Sequence, residues 1–151
     1  MHSICCGGDG CWAAASLGGA VAFQNGAVKL ITQGPVYSIA CDESSLLCSF
    51  RLQNRVAHHV FDSKSLANVA KVEFPGANSV LSKPAVFGSV IGVADEPSSS
   101  MKLVEWKSGR VICDRKLKGV CLDVLLFNYK KKFLAASLSN CDFQIKQENI
   151  G

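Results

Sequence analysis

The sequence predicts an all-β repeat protein, built from about four antiparallel four-stranded units that stack to share a core. Three observations carry that prediction. The chain echoes itself: Ser3-Ile4-Cys5-Cys6 returns as Ser38-Ile39-Ala40-Cys41, and this register carries the stretch 11–15 onto 46–50. Ala14-Ala15-Ser16-Leu17 returns as Ala135-Ala136-Ser137-Leu138. Apolar runs are short and broken by Gly, Asn, Asp, Ser and Pro, which signals strands joined by tight turns rather than helices. A unit of this size cannot bury its apolar face alone, so neighbours must stack.

The first unit is placed at 1–34. Its strands are predicted at 2–6, 11–17, 20–24 and 28–32, separated by Gly7-Gly8-Asp9-Gly10, Gly18-Gly19 and Asn25-Gly26. Asn-Gly is the strongest short hairpin signal, because both residues tolerate the positive φ of a type I′ turn. The second unit, 35–76, has strands at 36–41, 46–52, 55–61 and 66–74. They are turned by Asp42-Glu43-Ser44-Ser45, Gln53-Asn54 and Asp62-Ser63-Lys64-Ser65 and closed by Pro75-Gly76. The third, 77–119, has strands at 85–87, 90–94, 102–106 and 110–117. Pro84 precedes the first, which suits a strand start, and Lys107-Ser108-Gly109 turns between the last two. The fourth, 120–151, has strands at 122–127, 132–138 and 141–147 and no fourth strand.

These units resemble WD40-type β-propeller repeats, which place four strands in each blade at a period of about 40–45 residues. The resemblance lies in the last two strands of each unit. Val104-Glu105-Trp106-Lys107-Ser108-Gly109-Arg110-Val111 is similar to the family's third strand, its aromatic and the outward turn. In Val60-Phe61-Asp62-Ser63-Lys64-Ser65-Leu66, Phe61-Asp62 stands where the family's Trp-Asp dipeptide stands. Leu122-Asp123-Val124 to Phe143-Gln144-Ile145-Lys146 follows the same order. The resemblance implies a single propeller domain over 1–151. Four units are few for a family whose common form has seven blades, so the implied architecture is part of a larger ring, completed by another chain or cut from a longer product. A closed four-bladed ring is the alternative.

At 151 residues, with 48% hydrophobic and 19% charged residues, the chain is long enough to bury a core and too apolar for disorder. The net charge of +4 is mild, and the pI of about 8.6 falls short of a nucleic-acid surface. Apolar residues 11–23 have no positive charge before them and contain Gly18-Gly19, so they read as strand–turn–strand rather than a signal segment. No run reaches the roughly 18 residues of a membrane helix. Of the eight cysteines, Cys6, Cys41, Cys48, Cys113 and Cys121 sit in apolar runs. They are expected to be reduced core residues of an intracellular, cytoplasmic or nuclear protein. Cys5-Cys6 is read as the end of a strand rather than an acylation site.

No motif for catalysis, a cofactor or a metal rises above background. His58 and His59 are strand neighbours and point to opposite faces, so they do not share a metal. The Cys6/Cys11 and Cys41/Cys48 spacings match a hairpin, not the close pairs of a zinc site. Gly7-Gly8-Asp9-Gly10 lacks the Lys-Ser/Thr of a phosphate loop. The resulting expectation is a non-enzymatic scaffold of the WD40 type that presents loops to protein partners, with no cofactor. Its candidate contact residues are Arg55, Lys64, Trp106, Lys107, Arg110 and the run Lys130, Lys131 and Lys132, with core packing the first expectation for Trp106. Two rivals remain. One is a basic surface for nucleic acid or phosphoinositide on 130–132. The other is a propeller enzyme whose central channel would gather His58, Glu105 and Asp123.

Overall fold

The computed structural model describes residues 3–7, 12–53, 55–75, 84–95, 99–119, 121–129, 132–139 and 143–147. All regular structure in these residues is β. Sheet one runs β1 (Ser3–Cys6), β2 (Trp12–Ser16), β3 (Gly19–Gln24) and β4 (Ala27–Gln33). Sheet two runs β5 (Ser38–Cys41), β6 (Ser45–Leu52), β7 (Arg55–Asp62) and β8 (Asn68–Pro75). Sheet three runs β9 (Ala85–Phe87), β10 (Val90–Asp95), β11 (Ser100–Glu105) and β12 (Arg110–Lys116). Sheet four has β13 (Cys121–Tyr129), β14 (Lys132–Ser139) and β15 (Phe143–Gln147). Each sheet is an antiparallel meander in chain order. The fold is thus all-β, with four stacked blade-like sheets.

Local chemistry sets the turns. Asn25 and Gly26 have φ of 50° and 76°, the two positive values a type I′ hairpin needs, and Gln24 pairs with Ala27 around them. Gly19 begins β3 with φ 142°, and a Cβ there would lie 2.4 Å from the Thr32 carbonyl oxygen. Only glycine lets β3 and β4 approach so closely at that point.

Packing separates inner sheets from end sheets. In β6, Leu46 and Cys48 join the core against sheet one, while Leu47 joins the core against sheet three. In β10, Ile91 and Val93 pack toward sheet two, whereas Val90 and Ala94 pack with Val124 and Leu126 of sheet four. Strands covered on both faces therefore read as unbroken apolar runs. The end sheets alternate instead. Ala13 and Ala15 are buried against sheet two, but Ile4 on the outer face is 68% exposed. Val124 and Leu126 are buried, yet Leu125 between them is 60% exposed. Leu17, Val28 and Leu30 of sheet one are also exposed, so sheet four does not close onto sheet one.

Several expectations are corrected in detail. The 35-residue register holds for the first strands, but Ser3 lies opposite Ala15 and Ser38 opposite Ser49, so it becomes 34 in the second strands. The first turn of sheet one is one residue longer. The strand expected from residue 66 begins at Asn68, because Leu66 takes φ 58° and its N–H closes a turn onto the Asp62 carbonyl at 2.9 Å. Cys6 is exposed rather than core, because it shares the uncovered face with Ile4. Cys41 and Cys113 are half-buried, and Cys48 is fully buried. Cys121 opens β13, and its side chain lies outside the described residues.

Candidate functional site

The turns that follow the first and third strands of sheets two and three meet at one end of the stack. Asp42 Oδ1 accepts hydrogen bonds from Ser44 N–H at 2.8 Å, Ser45 N–H at 2.7 Å and the Ser44 hydroxyl at 3.2 Å. Its Oδ2 crosses to the next sheet and accepts from Gly88 N–H at 2.6 Å. The Gly88 carbonyl in turn accepts from Trp106 Nε1–H at 2.8 Å. Asp62 repeats the pattern, accepting from Lys64 N–H, Ser65 N–H and the Ser65 hydroxyl. Those donors hold its carboxyl below the usual carboxylate range, Ser65 contributing most. Short aspartate side chains capping their own turns are the reason the chain reverses here.

This network gathers four of the eight expected contact residues. Lys64 and the Trp106-Lys107-Ser108-Gly109-Arg110 turn are joined through Ser63, Ser44, Asp42 and Gly88. Lys64, Lys107 and Arg110 are exposed. Trp106 is half-buried against the core between sheets two and three, while Lys107 Nζ sits 5.5 Å from its ring centroid. It is therefore partly core and partly surface. Arg55 is not in the group. It opens β7 at the other end of sheet two, paired with Glu73 at 3.1 Å. Lys132 opens β14, and its side chain, with Lys130 and Lys131, lies outside the described residues.

Beside the network, a cleft of about 830 Å³ opens between sheets one and two. Trp12 and Phe23 line it, stacked at 5.6 Å between centroids, together with Gln24, Asp42, Glu43 and Lys64. Gln24 is buried. Its Nε2 donates to the Ser63 carbonyl, and its Oε1 has no partner among the described residues. Asp42, Trp12 and Phe23 were absent from the sequence-derived candidates. The repeated Asp-x-x-Ser turn was the available signal for Asp42; nothing local marks the two rings.

Two residues of the enzymatic rival, His58 and Glu105, have hydrogen-bond partners of their own. His58 is buried, with Nδ1 2.8 Å from the Ser49 hydroxyl across β6 and β7. Burial drives its pKa down to about 3, so it is neutral at physiological pH. His59 lies on the other face of β7, tilted against Phe50. The Glu105 carboxylate accepts from the Ser108 hydroxyl within its own turn. The Asp123 side chain lies outside the described residues. Among the described residues no three His, Cys, Asp or Glu gather as metal ligands, and no helix is long and apolar enough to cross a membrane.

The outer face of sheet one is an open apolar surface. Ile4, Ala14, Val21 and Leu30 stand opposite one another across all four strands. Cys6, Trp12, Phe23 and Val28 form a parallel row. The first row lines a shallow depression of about 420 Å³.

Replacing Asp42 by Ala should cost about 2 kcal/mol, because one carboxylate satisfies a turn and a bond between sheets. Asp42→Asn should lose about half as much: its Oδ1 keeps the turn, but an amide NH₂ faces the Gly88 N–H. Urea unfolding midpoints check both values.

No family model matches the chain, and no curated protein matches it. Solved structures do. BamB from Moraxella catarrhalis, a β-propeller, superposes with a TM-score of 0.65 at 13% identity, over 93% of this chain and 41% of that one. A protein of unknown function from Bacteroides caccae superposes with a TM-score of 0.58 at 11% identity, over 98% of this chain and 60% of that one. The chain spans less than two thirds of either structure. At such identities the likeness shows the fold, a partial β-propeller, and no more than the fold.

Proposed function

We propose that this protein is a non-enzymatic interaction scaffold of the WD40 type, working in an intracellular complex, and that the outer face of sheet one is its principal docking surface. One observation carries the reading: an aligned apolar row, Ile4-Ala14-Val21-Leu30, is left open on a sheet whose other face is packed. Contiguous apolar surface of this kind marks an interaction site. Its chemistry also specifies the occupant. The three junctions inside the chain are all made by apolar rows of antiparallel sheets stacked face to face, so the partner is a further sheet of the same kind. It is a blade that continues the propeller. The Lys64 and Trp106–Arg110 turns then form an exposed basic and aromatic rim at one mouth of the ring, which suits an acidic partner segment.

The test is solution mass by light scattering. The wild-type chain should run well above its 16.1 kDa, as an assembly through the open face. Ile4→Glu with Leu30→Glu should give a folded monomer. A wild-type monomer indifferent to those substitutions sinks the docking surface. Affinity for an oligonucleotide or an anionic vesicle that falls steeply with salt would favour the basic-surface rival instead.

A further inference from the structure

Cys5 and Cys41 belong to different sheets and stand thirty-six positions apart, yet they meet. β1 is fastened to β5 by Ser3, whose hydroxyl accepts from the Ile39 N–H at 3.2 Å and donates to the Ile39 carbonyl at 3.4 Å. Two residues further along each strand, on the same faces by the period of two, come Cys5 and Cys41. Both are half-buried and pack on the one core cluster shared by sheets one and two. Each thiol lies close enough to act on the other, Cys41 raising the pKa of Cys5 and Cys5 lowering that of Cys41. Cys41 also lines the cleft, so a reagent has a route to it. The other described thiols are placed differently, Cys113 lying apart in sheet three. Cys6 faces the opposite side of β1 and is exposed, and Cys48 lies fully buried beneath the pair.

We propose that Cys5 and Cys41 form a dithiol modification site, which a low-molecular-weight disulfide such as oxidised glutathione converts to a disulfide bond joining sheet one to sheet two. Cys41 is the attacking group. The neighbouring Cys5 thiol lowers its pKa, whereas Cys41, with burial, raises that of Cys5. The Cys41 thiolate attacks one sulfur of the glutathione disulfide, whose S–S bond breaks. The leaving glutathione thiolate takes up a proton. Cys5 then loses its proton and attacks the Cys41 sulfur of the mixed disulfide, expelling the second glutathione. Two protein thiols are oxidised, and one glutathione disulfide is reduced to two thiols. Cys48 takes no part, because burial pushes its pKa up to about 12.

The product pins sheet one to sheet two directly behind the open apolar face. It locks that blade in place without covering the face.

The experiment treats the native 151-residue chain with oxidised glutathione, traps free thiols, and maps the products by mass spectrometry. The expected result is a loss of about 2 Da and a crosslinked peptide pair containing Cys5 and Cys41. The unfolding midpoint of the oxidised protein should rise by several degrees and fall back on reduction, since the crosslink closes a long loop. Cys6→Ser should oxidise as wild type. In Cys5→Ser, Cys41 should stop at the glutathione adduct, which reports its reactivity even though no crosslink can form. A Cys5-Cys6 disulfide, glutathione held on Cys6 alone, or thiols that remain free in the folded wild-type chain would each overturn the proposal.

Discussion

Gly92→Val should destabilise the protein by about 3 kcal/mol, enough to lower its urea midpoint sharply. Gly92 is a strand residue with ordinary backbone geometry, so the cost is not conformational. It comes from space. A Cβ built on Gly92 would lie 2.8 Å from Val124 Cγ1 and 3.3 Å from both Leu103 Cδ2 and Leu126 Cδ1. Gly92 is the point where β10 approaches sheet four, between Val90 and Ala94, which pack on the same cluster. Gly92→Ala should cost less, about 1 kcal/mol, because the Val124 methyl can turn aside. Combining Gly92→Ala with Val124→Ala should recover part of that loss, since the two positions share one space. A Gly92→Val protein as stable as wild type would mean that sheets three and four do not stack in this way.

Acid should weaken the fold well above the carboxylate range, chiefly through His58. His58 is buried and bonded to Ser49, and burial holds its folded pKa near 3 against an ordinary 6.5. Below pH 6.5 the unfolded chain takes up a proton at this site that the folded chain refuses. Stability therefore falls by about 1.4 kcal/mol for each pH unit between roughly 6.5 and 3, and it is fully present above that window. His59, also lowered, chiefly by burial and then by Lys71, acts with the same sign. Thermal unfolding from pH 7.5 to 4.5 checks the slope. Replacing both partners, Ser49→Ala with His58→Leu, removes the titrating imidazole together with its Ser49 hydrogen bond. The double variant should show a shallower acid slope than wild type. An unchanged slope would place the acid lability elsewhere.

Much of the site was legible in the sequence where the signal was local. Asn25-Gly26 and the two Asp-x-x-Ser turns declare themselves because each residue satisfies its own backbone within a few positions. Lys64, Lys107 and Arg110 were identifiable as exposed for the same reason: they sit in such turns. The aromatic pair Trp12 and Phe23 was not legible. In Trp-Ala-Ala-Ala-Ser every residue is small or apolar, so no alternation shows which face is covered. Cys6 was misplaced by that same ambiguity, since an apolar run reads alike whether both faces are packed or one is open.

Local sequence signals suffice for an all-β chain of four repeated meanders, for the positions of the fifteen strands among the described residues to within a few residues, and for most of the turns. These follow from short-range rules of hydrogen bonding and φ. Tertiary packing set which faces meet. It joined Asp42 to Gly88, brought Cys5 and Cys41 onto one core cluster, closed His58 onto Ser49 beneath the core, and left Ile4 and Leu30 uncovered. Except for His58 and Ser49, which share a hairpin, these relations span roughly the length of one repeat or depend on a neighbouring sheet. Strand periodicity assigns a residue to one of two faces, but it carries no information about what is stacked against either.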